Sequence, residues 1–314
     1  MARKFRSACQ RCRVADAPVI AIVGPTAVGK SATAVALAQR IGGEVVGTDS
    51  MQAYIGMDIG TATPTPNEMG GVPHHMLNVW PIDKAVTVVD FRNRARQVIA
   101  EIHERGSVPI VVGGSGLYVR AVLDALDFPG TEPNVRSRWE GVLADQGIEV
   151  LYAHLQAIDP EAADRIEPAN ARRIVRALEV NEITGAPFQA QLPKGGDVFN
   201  TQWLGLAIDR PDLDVRIRER VGHMWAAGFI AEVARLMDLG LAQAPTARFA
   251  LGYAPVMAFL SGDISEAQAL ETTVTDTSKF ARRQQRWFAG DERITWWPAQ
   301  DSDALVSEVV STFT

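Results

Sequence analysis

The sequence feature that most constrains the fold is the octapeptide Gly-Pro-Thr-Ala-Val-Gly-Lys-Ser at residues 24–31. It fits the complete phosphate-binding pattern G-x-x-x-x-G-K-[ST], in which a glycine-rich turn leads from a strand into a helix. The preceding run, Val19 to Val23, is continuously apolar and rich in β-branched residues, as in a strand buried on both faces, and Ala32 to Ala38 has a helical pattern. In this arrangement several backbone N–H groups point at one place, where the N-terminal end of the helix dipole adds partial positive charge. The sequence therefore predicts a phosphate site at this turn.

Strand-like and helix-like segments alternate after this P-loop. The further strands are expected at residues 44–48, 109–112 and 203–208. With a helix expected at 90–105, the alternation predicts an α/β fold, a P-loop NTPase-like parallel sheet with helices on both faces. Because ligands of such sheets bind beyond the carboxyl ends of the strands, we expect the P-loop, Asp49 and Ser115 to surround one crevice.

The character of the chain changes after the strand expected at 109–112. Residues 129–196 lack strand patterns and are helical and charged, so we interpret them as a helical insertion domain. The catalytic core then comprises residues 18–128 and 197–314. Residues 1–17 are Arg-rich, show no core pattern and are expected to be a disordered leader. The C-x-x-C pair of this leader lacks further ligands, so we expect no zinc or redox site there.

Composition and charge restrict the classes of protein that fit. Of the 314 residues 47% are hydrophobic, enough for a sizeable core, and the formal net charge is −6. This charge argues against a generally basic nucleic-acid coat, although a local basic face could still bind a polyanion. No apolar stretch reaches the roughly 18 residues that a membrane span needs. The basic start has no signal-peptide core behind it, so we expect a cytoplasmic protein.

The last two residues of the P-loop have defined chemical tasks. Lys30 is placed to meet a terminal phosphate and the Ser31 hydroxyl to ligate a Mg²⁺ ion that bridges two phosphates, so a diphosphate would satisfy both. The strand at 109–112 ends in glycines and not in the acidic residue that usually helps to hold magnesium in ATPases, which argues against ATP hydrolysis. Asp49 could be that acidic group or a general base, and an N-cap or turn role is the alternative.

Two clusters of basic residues point to a polyanion. The first lies on one side of a helix expected at 276–288 and consists of Lys279, Arg282, Arg283 and Arg286. Repulsion among these charges favours a polyanionic partner, with a solvated face as the alternative. The second lies in the insertion and consists of Arg172, Arg173 and Arg176. Its acidic neighbours, Glu167 and Glu179, leave a purely solvated surface equally open.

Several sequence blocks occur in a fixed order over residues 19–298. Besides the P-loop they are Asp-Ser-Met-Gln-Ala-Tyr at 49–54, Val-Pro-His-His at 72–75, Gly-Gly-Ser-Gly-Leu-Tyr at 113–118, Arg-Ala-Leu-Glu-Val at 176–180, Leu-Gly-Tyr at 251–253 and Arg-Gln-Gln-Arg-Trp-Phe at 283–288. Together they resemble the tRNA dimethylallyltransferases. The resemblance implies transfer of a dimethylallyl group from its diphosphate to the exocyclic amine (N6) of the adenosine 3′-adjacent to the anticodon in tRNA, with Mg²⁺ required. It also implies a P-loop core related to nucleotide kinases, with a helical insertion over the anticodon stem-loop. We expect a monomer that does not bind a membrane.

The resemblance further implies roles for particular residues. Asp49 matches the family's general base, and Ser115 stands where the family commonly has threonine, so both are expected to be catalytic. The diphosphate is expected to meet Gly24, Pro25, Thr26, Ala27, Val28, Gly29, Lys30, Ser31 and Arg216, with Ser31 as the metal ligand. The tRNA is expected to contact Asp49, Ser50, Met51, Gln52, Ser115, Arg136, Arg172, Arg173, Arg176, Lys279, Arg282, Arg283 and Arg286. The target adenosine should be flipped out into the crevice, since a stacked base cannot reach a buried allylic carbon.

The chain also departs from this family at two positions, and other functions remain open. Phe249 and Ala254 stand where the family tends to carry polar or basic residues, so we assign them no RNA contact. An adenylate isopentenyltransferase would share the P-loop and Asp49 but needs neither the insertion nor the basic face. A P-loop small-metabolite kinase is disfavoured, because the strand at 109–112 ends in glycines and not in an acidic residue that would help to hold magnesium. A nucleotide-dependent regulatory module would give Asp49 and Ser115 no joint role.

Overall fold

The computed structural model describes residues 18–189 and 196–312. The predicted leader and its C-x-x-C pair lie outside these residues. The strands are β1 (Pro18–Val23), β2 (Gly43–Gly47), β3 (His74–His75), β4 (Val108–Gly113), β5 (Asn200–Ala207) and β6 (Thr295–Pro298). The helices are α1 (Lys30–Ile41), α2 (Pro66–Met69), α3 (Val88–Glu104), α4 (Gly116–Leu123), α5 (Pro133–Ile158), α6 (Pro160–Arg165), α7 (Ala171–Thr184), α8 (Arg210–Ala226), α9 (Phe229–Asp238), α10 (Tyr253–Leu260), α11 (Glu266–Phe288) and α12 (Ser302–Ser311). Single 3₁₀ turns occur at Leu241–Gln243, Ala247–Phe249 and Ala299–Asp301.

The six strands form one parallel sheet in the order β3-β2-β4-β1-β5-β6. Side chains of the central strand β1 alternate between two apolar cores, as the two-residue period of a strand requires. Val19, Ala21 and Val23 pack on the side of α3, whereas Ile20 and Ile22 pack on the side of α1 and α12. The predicted parallel sheet with helices on both faces is therefore confirmed.

Several boundaries differ from the expectations. The helix expected from residue 276 begins at Glu266, because Ser265 and Gln268 form a reciprocal capping box at its start. Helices α8 and α9 are separated at Gly228, which has a left-handed φ of 99°. Strands β3 and β6 were not expected, since two and four residues at the sheet edges give little periodicity.

The chain divides into two compact units. One comprises the residues up to Asp124 and from Asp197 onward, and the other is Ala125–Gly196. The smaller unit has its own apolar core, which α5, α6 and α7 build from residues such as Leu151, Leu155 and Ile174. Within the described residues no helix is both long and apolar enough to cross a membrane.

Candidate active site

The P-loop joins the end of β1 to the start of α1. At Gly24 the backbone has a φ of 144°, and a Cβ placed there would lie 2.7 Å from the Leu206 carbonyl oxygen of the adjacent strand β5. Ala27 adopts a left-handed φ of 63°, and Gly29, with a φ of 111°, precedes α1 without a capping side chain. A chain that mixes left- and right-handed conformations turns successive N–H groups to one side and forms an anion-binding concavity. The predicted succession of strand, glycine-rich turn and helix is confirmed.

Lys30, the first residue of α1, folds its side chain back over this loop. Its Nζ donates a hydrogen bond to the Pro25 carbonyl oxygen at 2.6 Å. Burial, and after it the charge of Arg220, lower the pKa of Lys30 to about 7, while the carboxylate of Asp49 acts in the opposite direction. An anion in the loop would oppose this lowering, because an opposite charge favours the protonated lysine. The charge state of Lys30 therefore depends on what the loop binds.

Helix α8 contributes the second wall of an open cleft at the P-loop. This cleft is lined by Ala27, Gly29, Lys30, Ser31, Ala32, Arg216, Glu219, Arg220 and His223. Arg216, for which the family resemblance implies contact with the diphosphate, is exposed and donates to the Val28 carbonyl oxygen at 3.3 Å. Arg220, one turn further along α8, is a site residue that the sequence reasoning missed. Burial lowers the pKa of Arg220, against the opposing effect of Asp49. The four-residue spacing from Arg216 could have revealed it, since it places both side chains on one side of the helix.

Asp49 lies just beyond the carboxyl end of β2. Its Oδ1 accepts a hydrogen bond from the Met51 N–H at 2.9 Å, which is the turn interaction expected of an Asp in such a place. The same carboxylate favours the charged forms of Lys30 and Arg220 and thus opposes part of the lowering of their pKa values by burial. The turn role and the functional role are thus compatible: the turn bond fixes the carboxylate, and its charge acts on the two cations of the cleft.

Ser115 follows β4, the strand that lies between β1 and β2. It precedes α4, yet its side chain forms no capping hydrogen bond, so the hydroxyl is not engaged at the helix start. Register places the ends of the strands together, because Val23 at the start of the P-loop pairs with Gly113. A Cβ on the next residue, Gly114, would lie 3.1 Å from the Gly24 carbonyl oxygen. The loop that carries Ser115 therefore runs directly beside the P-loop, and the predicted convergence of the three strand ends is present.

The segment after Asp49 packs on a neighbouring loop at residues 58–62. The half-buried candidates for tRNA contact on this segment are Ser50, Met51 and Gln52. The Nε2 of Gln52 donates to two backbone carbonyl oxygens of the loop, both at 3.1 Å. Buried Glu232 fixes the loop in turn, by accepting three consecutive N–H groups at 2.7–3.0 Å and the Tyr253 hydroxyl at 2.7 Å. Glu232 is a second residue that the sequence reasoning missed, since its pairing depends on the tertiary fold.

The predicted basic face is present on the C-terminal half of α11. Lys279, Arg283 and Arg286 are exposed and Arg282 is half-buried. Lys279 pairs with Asp276 at 3.1 Å, and the Arg283 guanidinium lies 5.7 Å from the centre of the Phe280 ring. The opposite side of the helix is buried through residues such as Gln284 and Phe288. One helix therefore joins a solvent-exposed cationic surface to the interior of the core.

The arginines expected to meet tRNA in the insertion fall into two groups. Arg172 and Arg173 are exposed at the start of α7. Arg176 instead binds the carbonyl oxygens of residues 129 and 130, at 2.6 and 3.0 Å, and the fully buried Glu179 at 2.7 Å. Arg136 pairs with Glu179 at 3.6 Å and with an exposed glutamate one turn further along α5 at 3.1 Å. The acidic neighbour noted in the sequence thus holds Arg136 and Arg176 within the insertion's own structure.

Comparisons with known proteins agree on one family. The model of the IPP transferase family matches residues 52–291. The tRNA dimethylallyltransferase of Thermobifida fusca is 53% identical over 292 residues, which cover 91% of this chain and 92% of that protein. The tRNA dimethylallyltransferase of Salinispora tropica is 48% identical over 303 residues, which cover 96% of this chain and 95% of that protein.

Solved structures show the same likeness. The tRNA isopentenylpyrophosphate transferase of Bacillus halodurans is 37% identical, with a TM-score of 0.69 and coverage of 94% of this chain and 96% of that one. A eukaryotic dimethylallyltransferase described as acting on tRNA is 26% identical, with a TM-score of 0.76 and coverage of 95% and 80%. By sequence and by fold, the chain belongs to the IPP transferase family, the tRNA dimethylallyltransferases.

Proposed function

We propose that this chain transfers a dimethylallyl group from dimethylallyl diphosphate to the exocyclic N6 amine of the adenosine 3′-adjacent to the anticodon in tRNA, and that it acts as a cytoplasmic monomer. The observation that carries the proposal is the convergence of the P-loop, Asp49 and Ser115 at the carboxyl ends of three neighbouring strands. A phosphate cradle, a carboxylate and a hydroxyl that does not cap its helix, all at one edge, suit a reaction that joins a diphosphate ester to a weak nucleophile.

The P-loop side of the crevice stabilises the leaving diphosphate. As the allylic C–O bond breaks, negative charge develops on the leaving oxygen, and Lys30, Arg216 and Arg220 supply positive charge around the cleft. Allylic carbon tolerates partial positive charge, so this bond can break ahead of attack by the amine. Binding of the diphosphate restores the proton that burial and Arg220 tend to remove from Lys30.

A Mg²⁺ ion fits the residues present. Within the described residues no group of three His, Cys, Asp or Glu side chains could hold a metal by itself. Magnesium is commonly bound through one or two protein oxygens together with substrate phosphates, and the Ser31 hydroxyl is such an oxygen in the first turn of α1. Ser31 would hold the ion, which when bound would neutralise charge on the diphosphate.

Asp49 and Ser115 serve the nucleophile. The exocyclic amine of adenine must lose a proton as the N–C bond forms, and a carboxylate held in place by the Met51 N–H is suited to accept it. The Ser115 hydroxyl, which does not cap α4, can hydrogen-bond the amine or the diphosphate. We infer that the adenosine is flipped out of its stack to reach this pair.

Two surfaces are proposed to bind the RNA. On α11 the exposed charges of Lys279, Arg283 and Arg286 suit phosphate contacts, which fix register on a stem-loop. In the insertion, Arg172 and Arg173 are proposed to play the same part, while Arg136 and Arg176 would act mainly by shaping the unit. A free nucleotide needs neither surface, which favours tRNA over the adenylate alternative.

The test is the mass of an unmodified anticodon stem-loop RNA after incubation with the protein, Mg²⁺ and dimethylallyl diphosphate. The expected result is a gain of one dimethylallyl group on the adenosine 3′ of the anticodon, and no gain with the Asp49→Asn variant. Parallel reactions contain AMP in place of RNA, or ATP in place of dimethylallyl diphosphate. Modified AMP with unchanged RNA would establish the adenylate alternative, and phosphate transfer from ATP would establish a kinase.

A further inference from the structure

Gln284 links the basic helix α11 to the P-loop. Its side chain is 6% exposed although its neighbour Arg283 is exposed. Its Oε1 accepts a hydrogen bond from the backbone N–H of Thr26 at 2.8 Å, across 258 positions of sequence. Because a backbone N–H can only donate, this bond fixes which end of the amide is oxygen, and Nε2 lies at the other end. The buried amide therefore has one defined orientation.

The other end of this amide lies against the loop that carries Ser115. A Cβ on Gly114 would overlap Nε2 of Gln284 and lie 3.0 Å from its Cδ. Gly114 does not have a positive φ, so the need for glycine here is one of space and not of backbone conformation. Because residue 114 has no side chain, the Gln284 amide fits between the P-loop and the loop that carries Ser115.

We propose that Gln284 is a positioning residue of the transfer reaction, which sets the distance between the diphosphate cradle and Ser115. The side chain spans two loops of the proposed site: Thr26 belongs to the diphosphate cradle, and Gly114 precedes Ser115, whose hydroxyl is proposed to hydrogen-bond the amine or the diphosphate. A near-attack geometry is sensitive to displacements of about 1 Å, so a rigid spacer between the loops contributes to rate without touching either substrate. This inference rests on the proposed function.

Two substitutions remove the spacer from opposite ends. Gln284→Leu keeps the approximate size of the side chain but leaves the Thr26 N–H without its acceptor, and Gly114→Ala displaces the amide sterically. Each single variant is expected to have a higher KM for dimethylallyl diphosphate and a lower kcat. Together these two changes should lower kcat/KM of that variant about tenfold, which corresponds to about 1.4 kcal/mol. The dissociation constant for the stem-loop RNA should stay within about twofold of wild type, since the exposed arginines of α11 are unchanged.

The matched control is Gln285→Leu, the same change at the next position of the same helix, and it should leave both kinetic constants unaltered. Gln284→Leu and Gly114→Ala remove the same spacer. The double variant should therefore lose no more kcat/KM than either single variant does. Additive losses, an equal weakening of RNA binding, or a fall in melting temperature with unchanged kinetics would overturn the proposal. If Gln284→Leu does not fold, Gly114→Ala carries the same comparison. A wild-type protein that fails to modify RNA would refute the proposed function instead, before any variant is compared.

Discussion

The lowered pKa of Lys30 makes diphosphate binding depend on pH in a direction that can be worked out. With a pKa of about 7 in the free protein, Lys30 is mostly protonated at pH 6 and about 1% protonated at pH 9. The bound diphosphate favours the protonated form, so the pKa rises on binding and a proton is taken up above pH 7. Affinity should therefore fall by up to tenfold for each unit between pH 7 and 9, which is about 1.4 kcal/mol per unit.

The assay is calorimetric titration of the protein with dimethylallyl diphosphate in the presence of Mg²⁺ and without RNA, from pH 7 to 9. An esterified phosphate chain loses its last proton near about pH 6, so ionisation of this ligand contributes little over this range. The control is Lys30→Arg, because a guanidinium keeps its charge throughout. This variant should bind with an affinity that does not change with pH. A wild-type affinity that is constant from pH 7 to 9, or an equal slope in Lys30→Arg, would refute the reasoning.

Three further outcomes follow from the same site. Asp49→Asn should lower the single-turnover rate by about 10²- to 10⁴-fold, which is the usual contribution of a general base. Its affinity for the stem-loop, measured by filter binding, should be retained. A rate within a few fold of wild type would contradict the role of Asp49 as the base. Arg283→Gln should weaken stem-loop binding and make it less salt-dependent, with the slope of log affinity against log salt reduced by about 0.7, whereas an unchanged slope would exclude a phosphate contact. Glu232→Ala should lower the free energy of unfolding by about 3 kcal/mol in urea titrations, since it removes the acceptor of three half-buried N–H groups of the loop at 58–62 and of the buried Tyr253 hydroxyl. A loss below about 0.5 kcal/mol would show that these donors find other partners.

The parts of this molecule that sequence predicts are those whose pattern is local. The run at 19–23 has the apolar, β-branched pattern of a buried strand, and the octapeptide after it specifies a turn by its own glycines. The P-loop and its flanking elements therefore fall where they are expected. The carboxyl ends of β1, β2 and β4 could also be placed together, because parallel strands bring their ends to one edge. Asp49 and Ser115 were assigned to that edge from topology alone.

The parts that sequence does not predict depend on pairs that lie far apart in the chain. Gln284 and Thr26 are separated by 258 positions, and nothing in either local pattern marks a buried amide that meets a loop N–H. A glutamine between arginines on an amphipathic helix looks like one more polar surface residue. Only the turn of the helix, which points every third or fourth side chain inward, distinguishes Gln284 from its neighbours.

Charge clusters show a related limit. Arg283 and Arg176 each belong to a cluster of basic residues, and both are predicted to contact RNA, although only Arg176 has an acidic residue within one helical turn of it in the sequence. In the fold, Arg283 is exposed, while Arg176 binds two carbonyl oxygens and buried Glu179. A buried glutamate needs a cation or several hydrogen-bond donors, because an unpaired charge in the interior costs several kcal/mol. An arginine close to such a glutamate therefore pairs with it and does not remain available at the surface. The spacing of basic residues in a sequence reveals a binding surface only where no buried acid pairs with the same side chains.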